Sequence, residues 1–229
     1  MPRPGPRRAL CRLGATALVL LSLLATSCSA PPVPLDPQRS DVVAERGPAR
    51  IATAGALASM TRPYGAESSA TIDSCAAGED NWKVRDPWSY RCWFAYSGVA
   101  VVPDLTAATA MVTSGLIALD CEDPHQLAQQ LSQWGELNPG EPLPTDPDFQ
   151  PGVVPPQLDQ CRGIEVWVRF SSATDPLLAV VAADAASTRD PLVVRANPFS
   201  DAQLQRLRAR DDGVIVFVTV RMMYHQEPR

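Results

Sequence analysis

Apolar and polar positions change period several times along this chain, and each change marks an element. From Asp41 to Met60, Val43, Ile51, Ala54, Leu57 and Ala58 recur at helical spacing, so a first helix is predicted, with Gly47-Pro48 as its point of interruption. The segment from Ser74 to Pro87 is polar, turn-rich and without period. After it, Tyr90, Cys92, Phe94 and Tyr96 alternate with Arg91, Trp93, Ala95 and Ser97, the period of a strand with one buried face, and Val99 to Val102 extends it past Gly98. Pro103-Asp104 opens a second helix with the apolar stripe Leu105, Ala108, Met111, Val112, Leu116 and Leu119. Asp123-Pro124 repeats that start signal for a third helix burying Leu127, Leu131 and Trp134, which Gly135 can end.

The stretch 138–157 holds seven prolines and no periodicity, and reads as a loop or linker. Beyond it Ile164, Val166, Val168 and Phe170 alternate with Glu165, Trp167, Arg169 and Ser171 as a strand. Leu177 to Ala183 is uniformly apolar, as a strand buried on both faces would be, and Leu192 to Arg195 is a shorter candidate. Ser200-Asp201-Ala202-Gln203 is a capping box, Phe199 can staple onto Leu204, and Asp212-Gly213 stops the helix. Val214 to Arg221 is apolar at most positions of both faces, which suits a central strand. The simplest assembly is a single α+β domain, a largely antiparallel sheet with helices packed on it.

The beginning of the chain follows other rules. Arg3, Arg7, Arg8 and Arg12 precede an apolar run, Leu13 to Ala25, too short to cross a hydrocarbon core of about 30 Å, so residues 1–27 read as a signal peptide. Ala25-Thr26-Ser27-Cys28 resembles the lipobox of bacterial lipoproteins, in which the cysteine takes a diacylglyceryl group and becomes the first mature residue. The resemblance implies lipidation at Cys28, a flexible tether over 28–39 that Pro31, Pro32, Pro34 and Pro37 keep extended, and an extracytoplasmic domain over 40–229. Ala25 stands where that family usually has Leu, Val or Ile, so secretion after cleavage at Ala30 stays an alternative. Arg7-Arg8 leaves twin-arginine export open beside the general route. The rest of the chain, through its cysteines, Arg85-Asp86-Pro87-Trp88 and Arg91-Cys92, resembles small exported lipoproteins of actinobacteria with no assigned activity.

Removal of the leader leaves 16 basic residues against 25 acidic, a net charge of −9 in place of −5, which disfavours nucleic acid as a partner. Cys75, Cys92, Cys121 and Cys161 lie in the exported part and read as two disulfides, with Cys75–Cys92 and Cys121–Cys161 the favoured pairing. No short Cys-x-x-Cys spacing calls for zinc, and no metal or cofactor is expected.

Catalytic signatures are sparse. His125 and His225 are the only histidines; His125 falls in the first turn of a helix beside Glu122 and Asp123, and His225 near the end of the chain, where fraying is expected. Glu79-Asp80, Asp86, Glu122-Asp123 and Asp211-Asp212 are carboxylates that convergence could pair for glycoside hydrolysis. The densest unusual composition is Gly78 to Tyr96, where Trp82 and Trp88 with Arg85 and Asp86 form either a ligand-binding aromatic patch or a cluster packed around the Cys75–Cys92 bridge. The expectation is a non-enzymatic binding or interaction module held to the membrane by a lipid anchor and facing a cell-wall or protein partner. A cell-envelope hydrolase and a structural assembly protein are the alternatives.

Overall fold

Two long strands form the spine of the molecule. The computed structural model describes residues 36–80, 83, 85–126, 128–130, 157–172, 192–210 and 213–229. Its elements are α1 (Ser40–Met60), β1 (Ser68–Ala77), β2 (Trp88–Val102), α2 (Leu105–Ala118), β3 (Gln157–Cys161), β4 (Ile164–Ser172), β5 (Leu192–Asn197), α3 (Asp201–Arg208) and β6 (Val214–Pro228). The strands form one sheet in the order β3-β4-β6-β2-β1-β5, with every neighbouring pair antiparallel. The α+β class inferred from the sequence is the observed one. β6 lies between β4 and β2, and Ile215, Val216, Val218 and Val220 are fully buried, which is why that strand is apolar on both faces.

Helices α1 and α2 cover one face. Leu57 and Met60 of α1 meet Met111, Val112 and Leu116 of α2 over Ala100, Val102, Val166, Val168, Val216 and Val218. Two glycines permit this closeness. A Cβ on Gly98 would lie 2.9 Å from the Leu57 methyls, and one on Gly115 would lie 2.7 Å from the Met60 Cα. The opposite face is covered at one end by α3, where Phe199, Leu204 and Leu207 pack on Val99, Ile215 and Phe217. The capping box at Ser200 and Gln203 is formed, and Phe199 and Leu204 bury together as a staple would have them.

Four elements differ from the sequence expectation. β1 runs through Ser74, where a polar, turn-rich segment was expected; its Ser68, Asp73 and Ser74 are buried polar residues, so no alternation betrays the strand. Pro48 lies inside an unbroken α1, with its ring exposed, so helix and solvent absorb the lost hydrogen bond. β3 begins at Gln157, the last residue assigned to the proline-rich loop, and turns into β4 through Arg162 and Gly163, whose φ values of 50° and 85° suit a two-residue hairpin. β6 continues to Pro228, so His225 sits in a paired strand and not in a frayed end. The expected strand at 177–183, most of the proline-rich loop, residues 131–135 of the third helix and everything before Asp36 lie outside the described residues.

Both expected disulfides are present. Cys75–Cys92 joins directly opposed residues of β1 and β2, and Cys121–Cys161 ties the turn after α2 to the β3–β4 hairpin. With sequence separations of 17 and 40, chain-entropy arguments put their stabilisation at about 3 and about 4 kcal/mol.

Candidate functional site

A polar cluster lies between the start of α1 and the far end of the sheet. The pairing of β2 with β6 shifts between Cys92 and Trp93, which leaves Tyr224 without a cross-strand partner. The Tyr224 hydroxyl donates to Asp73 Oδ1 at 2.7 Å and lies 3.8 Å from Cys75 Sγ. Arg46 of α1 reaches the other carboxylate oxygen at 2.6 Å, with Asp73 only 6% exposed. Burial, and then the bond to Asp73, raise the Tyr224 pKa well above the ordinary value of 10.0. Next to it, His225 Nδ1 is 2.8 Å from Glu45 Oε2, and its Nε2 is 3.3 Å from Arg39 Nη2; Arg39 also bridges Asp41 and Glu227. This arrangement fastens residues 39–46 to β1 and β6. It offers no free nucleophile, because the nearby cysteines are joined and the Asp73 oxygens are engaged.

Of the carboxylates and the patch singled out from the sequence, Glu79, Asp80, Arg85 and Asp86 lie in the turn between β1 and β2, and Trp88 opens β2. Asp86 Oδ2 accepts from the Glu79 N–H at 2.7 Å, the Asp86 N–H donates to Glu79 O at 2.9 Å, and Arg229 reaches Asp80 at 3.3 Å. Arg85 is 74% exposed and lies 3.7 Å from Asp80. These groups brace a turn. Trp88 is 7% exposed and the Gly78 backbone lies against it, so close that a Cβ there would overlap the Trp88 carbonyl. Trp88 is therefore a packed side chain with little surface to offer a ligand. Trp82, Asp211 and Asp212 lie outside the described residues. His125, Glu122 and Asp123 are exposed beyond α2.

Other residues gather on a partly exposed face of the sheet. Register places Arg91, Trp93, Ala95 and Ser97 of β2 on one face with Thr219, Arg221 and Met223 of β6 and Glu165 and Trp167 of β4. This is the face whose other end α3 covers, and among the described residues no helix packs on this part of it. The Arg91 guanidinium lies 4.1 Å from the Trp88 ring centroid and 5.5 Å from that of Trp93, and Arg221 approaches Trp93 from 5.8 Å. Arg221 Nε donates to Glu165 Oε2 at 2.7 Å, the Ser97 and Thr219 hydroxyls meet at 2.9 Å, and Met223 is 49% exposed. The sequence did carry a signal for this surface: Trp93 and Trp167 occupy the outward positions of two alternating strands, where a large ring is unusual. Attention to the turn-rich Trp82–Trp88 segment passed over it.

A shallow groove of about 490 Å³ runs between Pro63, Tyr64, Met111 and Ser114. Pro63, Met111 and three alanines make its lining largely apolar, and its polar residues, Ser59, Arg62, Tyr64 and Ser114, include no carboxylate or imidazole. Among the described residues no group of three or more His, Cys, Asp and Glu side chains is placed to hold a metal, and no helix is long and apolar enough to cross a membrane. No protein-family model, curated protein or solved structure matches the chain.

Proposed function

We propose that this protein is a membrane-tethered, extracytoplasmic interaction module: lipid on Cys28 anchors it, residues 29–39 space it from the bilayer, and the domain from Ser40 engages a protein or cell-wall partner. The observation that carries the binding half is the open end of the sheet, where Trp93, Trp167 and Met223 lie beside Arg91 and Arg221 on one surface. Aromatic, methionine and arginine side chains are those that protein interfaces concentrate. The location half is supported by the leader and by two disulfides, which persist where the surroundings are oxidising. The hydrolase alternative draws no support from the described acids of the β1–β2 turn, which make backbone and arginine contacts.

Two measurements test the halves separately. Cys28→Ala moves the protein from the membrane fraction to the supernatant if the anchor reading holds, and unchanged membrane retention overturns it. For binding, a photo-crosslinking amino acid is placed at Met223 and, as a control, at Ile51, which is 77% exposed on α1. The expected result in intact envelopes is one discrete adduct from position 223 that the Ile51 position does not give. Identical adducts from both, or none from either, remove the claim that this surface is the binding one.

A further inference from the structure

We infer that Arg91, held between Trp88 and Trp93, is the seat for a carboxylate on an acidic segment of a partner protein; the inference deepens the interaction-module reading and rests on it. The reason is an unfinished cation. In a chain with 25 acidic residues against 20 basic, Arg46, Arg221 and Arg229 each face a carboxylate. The Arg91 guanidinium has no hydrogen bond or ion pair among the described residues; its contacts are the two indole faces, and its Nε is buried without a partner. Buried polar atoms left unpaired are rare and costly, and they concentrate where something else completes them.

The chemistry of the stack selects its occupant. A guanidinium pressed between aromatic rings is fixed in orientation and presents a planar edge of donors that matches the two oxygens of a carboxylate. Among the described residues no carboxylate pairs with it, and Glu165, on the same face, is already taken by Arg221. Trp93 and the exposed Met223 offer apolar surface next to it for the flanking side chains of a peptide. One other occupant fits less well: a two-fold pairing of this face with itself would set arginines against arginines.

The test uses the full-length chain in nonionic detergent and a short fluorescein-labelled peptide alternating glutamate with leucine, with its glutamine–leucine counterpart as control. Anisotropy is expected to give binding of the glutamate peptide about tenfold or more tighter than of the glutamine peptide, falling as salt is raised. Arg91→Gln is expected to abolish that preference, and Arg91→Lys to lose most of it, because an ammonium does not stack as a plane. Met223→Glu is a second variant with nothing to unfold at its exposed site, and it should repel the glutamate peptide.

Equal binding of the two peptides, or a preference that survives both Arg91→Gln and Met223→Glu, overturns the inference. Arg91-dependent binding to phosphatidylglycerol vesicles without a peptide preference assigns the face to membrane and overturns it too, as does Arg91-dependent self-association in sedimentation. A crosslink at position 223 with no glutamate preference sinks this inference alone; the loss of both sinks the interaction reading with it.

Discussion

The two ends of β2 and β6 share one hydrogen-bonded ladder and differ in almost everything else. At the Val99–Val102 and Val214–Val218 end, apolar side chains are buried on both faces, under α1 and α2 on one side and α3 on the other. At the Arg91–Ser97 and Thr219–Glu227 end, one face carries the Asp73–Tyr224–Arg46 network beneath α1 and the other the Trp–Arg stack. Apolar burial is non-directional, so the first end is stabilised by area, at about 1.5–3 kcal/mol for each large side chain fully buried. The second end depends on individual partners, and a single change there can leave a charge or hydroxyl stranded. The two ends of the same strands thus draw their stability from different sources, and the proposed recognition surface lies at the partner-dependent one.

The hardest blow to that contrast is a pair of adjacent substitutions at the boundary. Val218 is fully buried toward α1 and α2, whereas Thr219 points to the Trp–Arg face. Val218→Asp places a carboxylate where nothing can pair with it and should cost on the order of 3–5 kcal/mol or abolish folding. Thr219→Asp forfeits the hydroxyl pair with Ser97 and should cost about 1 kcal/mol. Urea unfolding followed by near-ultraviolet circular dichroism reads both, and comparable losses would mean that the two faces are not energetically distinct.

A smaller effect probes the buried polar network. Asp73→Ala leaves Arg46 and the Tyr224 hydroxyl without their acceptor, and the expected loss is about 3 kcal/mol, since Arg46 keeps some solvent. Adding Arg46→Leu should restore part of it, because the stranded charge is then gone. If Asp73→Ala alone proves neutral, the network is decoration on a structure held elsewhere.

The same two ends explain what could be read from the chain in advance. Where burial is apolar the pattern was legible: α2, α3, β4 and the start of β6 follow from periodicity and capping signals alone. β1 was hidden because its buried positions include Ser68, Asp73 and Ser74, polar residues whose reason for burial is a partner far along the chain; Asp73 is 151 residues from the Tyr224 it binds. The far end of β6 was hidden for the same reason, as His225 and Glu227 look like a solvated tail until Glu45 and Arg39 are brought to them. The disulfide pairing was recoverable because Cys75 and Cys92 flank one turn. The candidate surface was half legible: the composition pointed to the tryptophan-rich segment that contributes to it, but only the structure separates Trp88, which packs, from Trp93, which lies on the other strands' outward face.

The finest test of the polar end is its behaviour in alkali. The pKa of Tyr224 is raised, first by burial and then by its bond to Asp73, so the folded protein keeps this hydroxyl protonated at pH values where the unfolded chain releases it. A raised pKa stabilises the fold fully below the ordinary value of 10.0 and progressively less above it. Stability should therefore fall with rising pH above 10.0, by as much as ~1.4 kcal/mol per pH unit from this group alone. Tyr224→Phe should lose about 1–3 kcal/mol at neutral pH, for the missing bond to a carboxylate, and then show a shallower alkaline slope, so that the two stability curves converge. Tyr90, whose pKa burial also raises, keeps the slope of the variant from vanishing. Urea midpoints measured on both proteins across that range decide the matter: parallel curves would mean that the Tyr224 hydroxyl is not held by Asp73, and that the end of the sheet described as partner-dependent is as indifferent to its polar contacts as the apolar end.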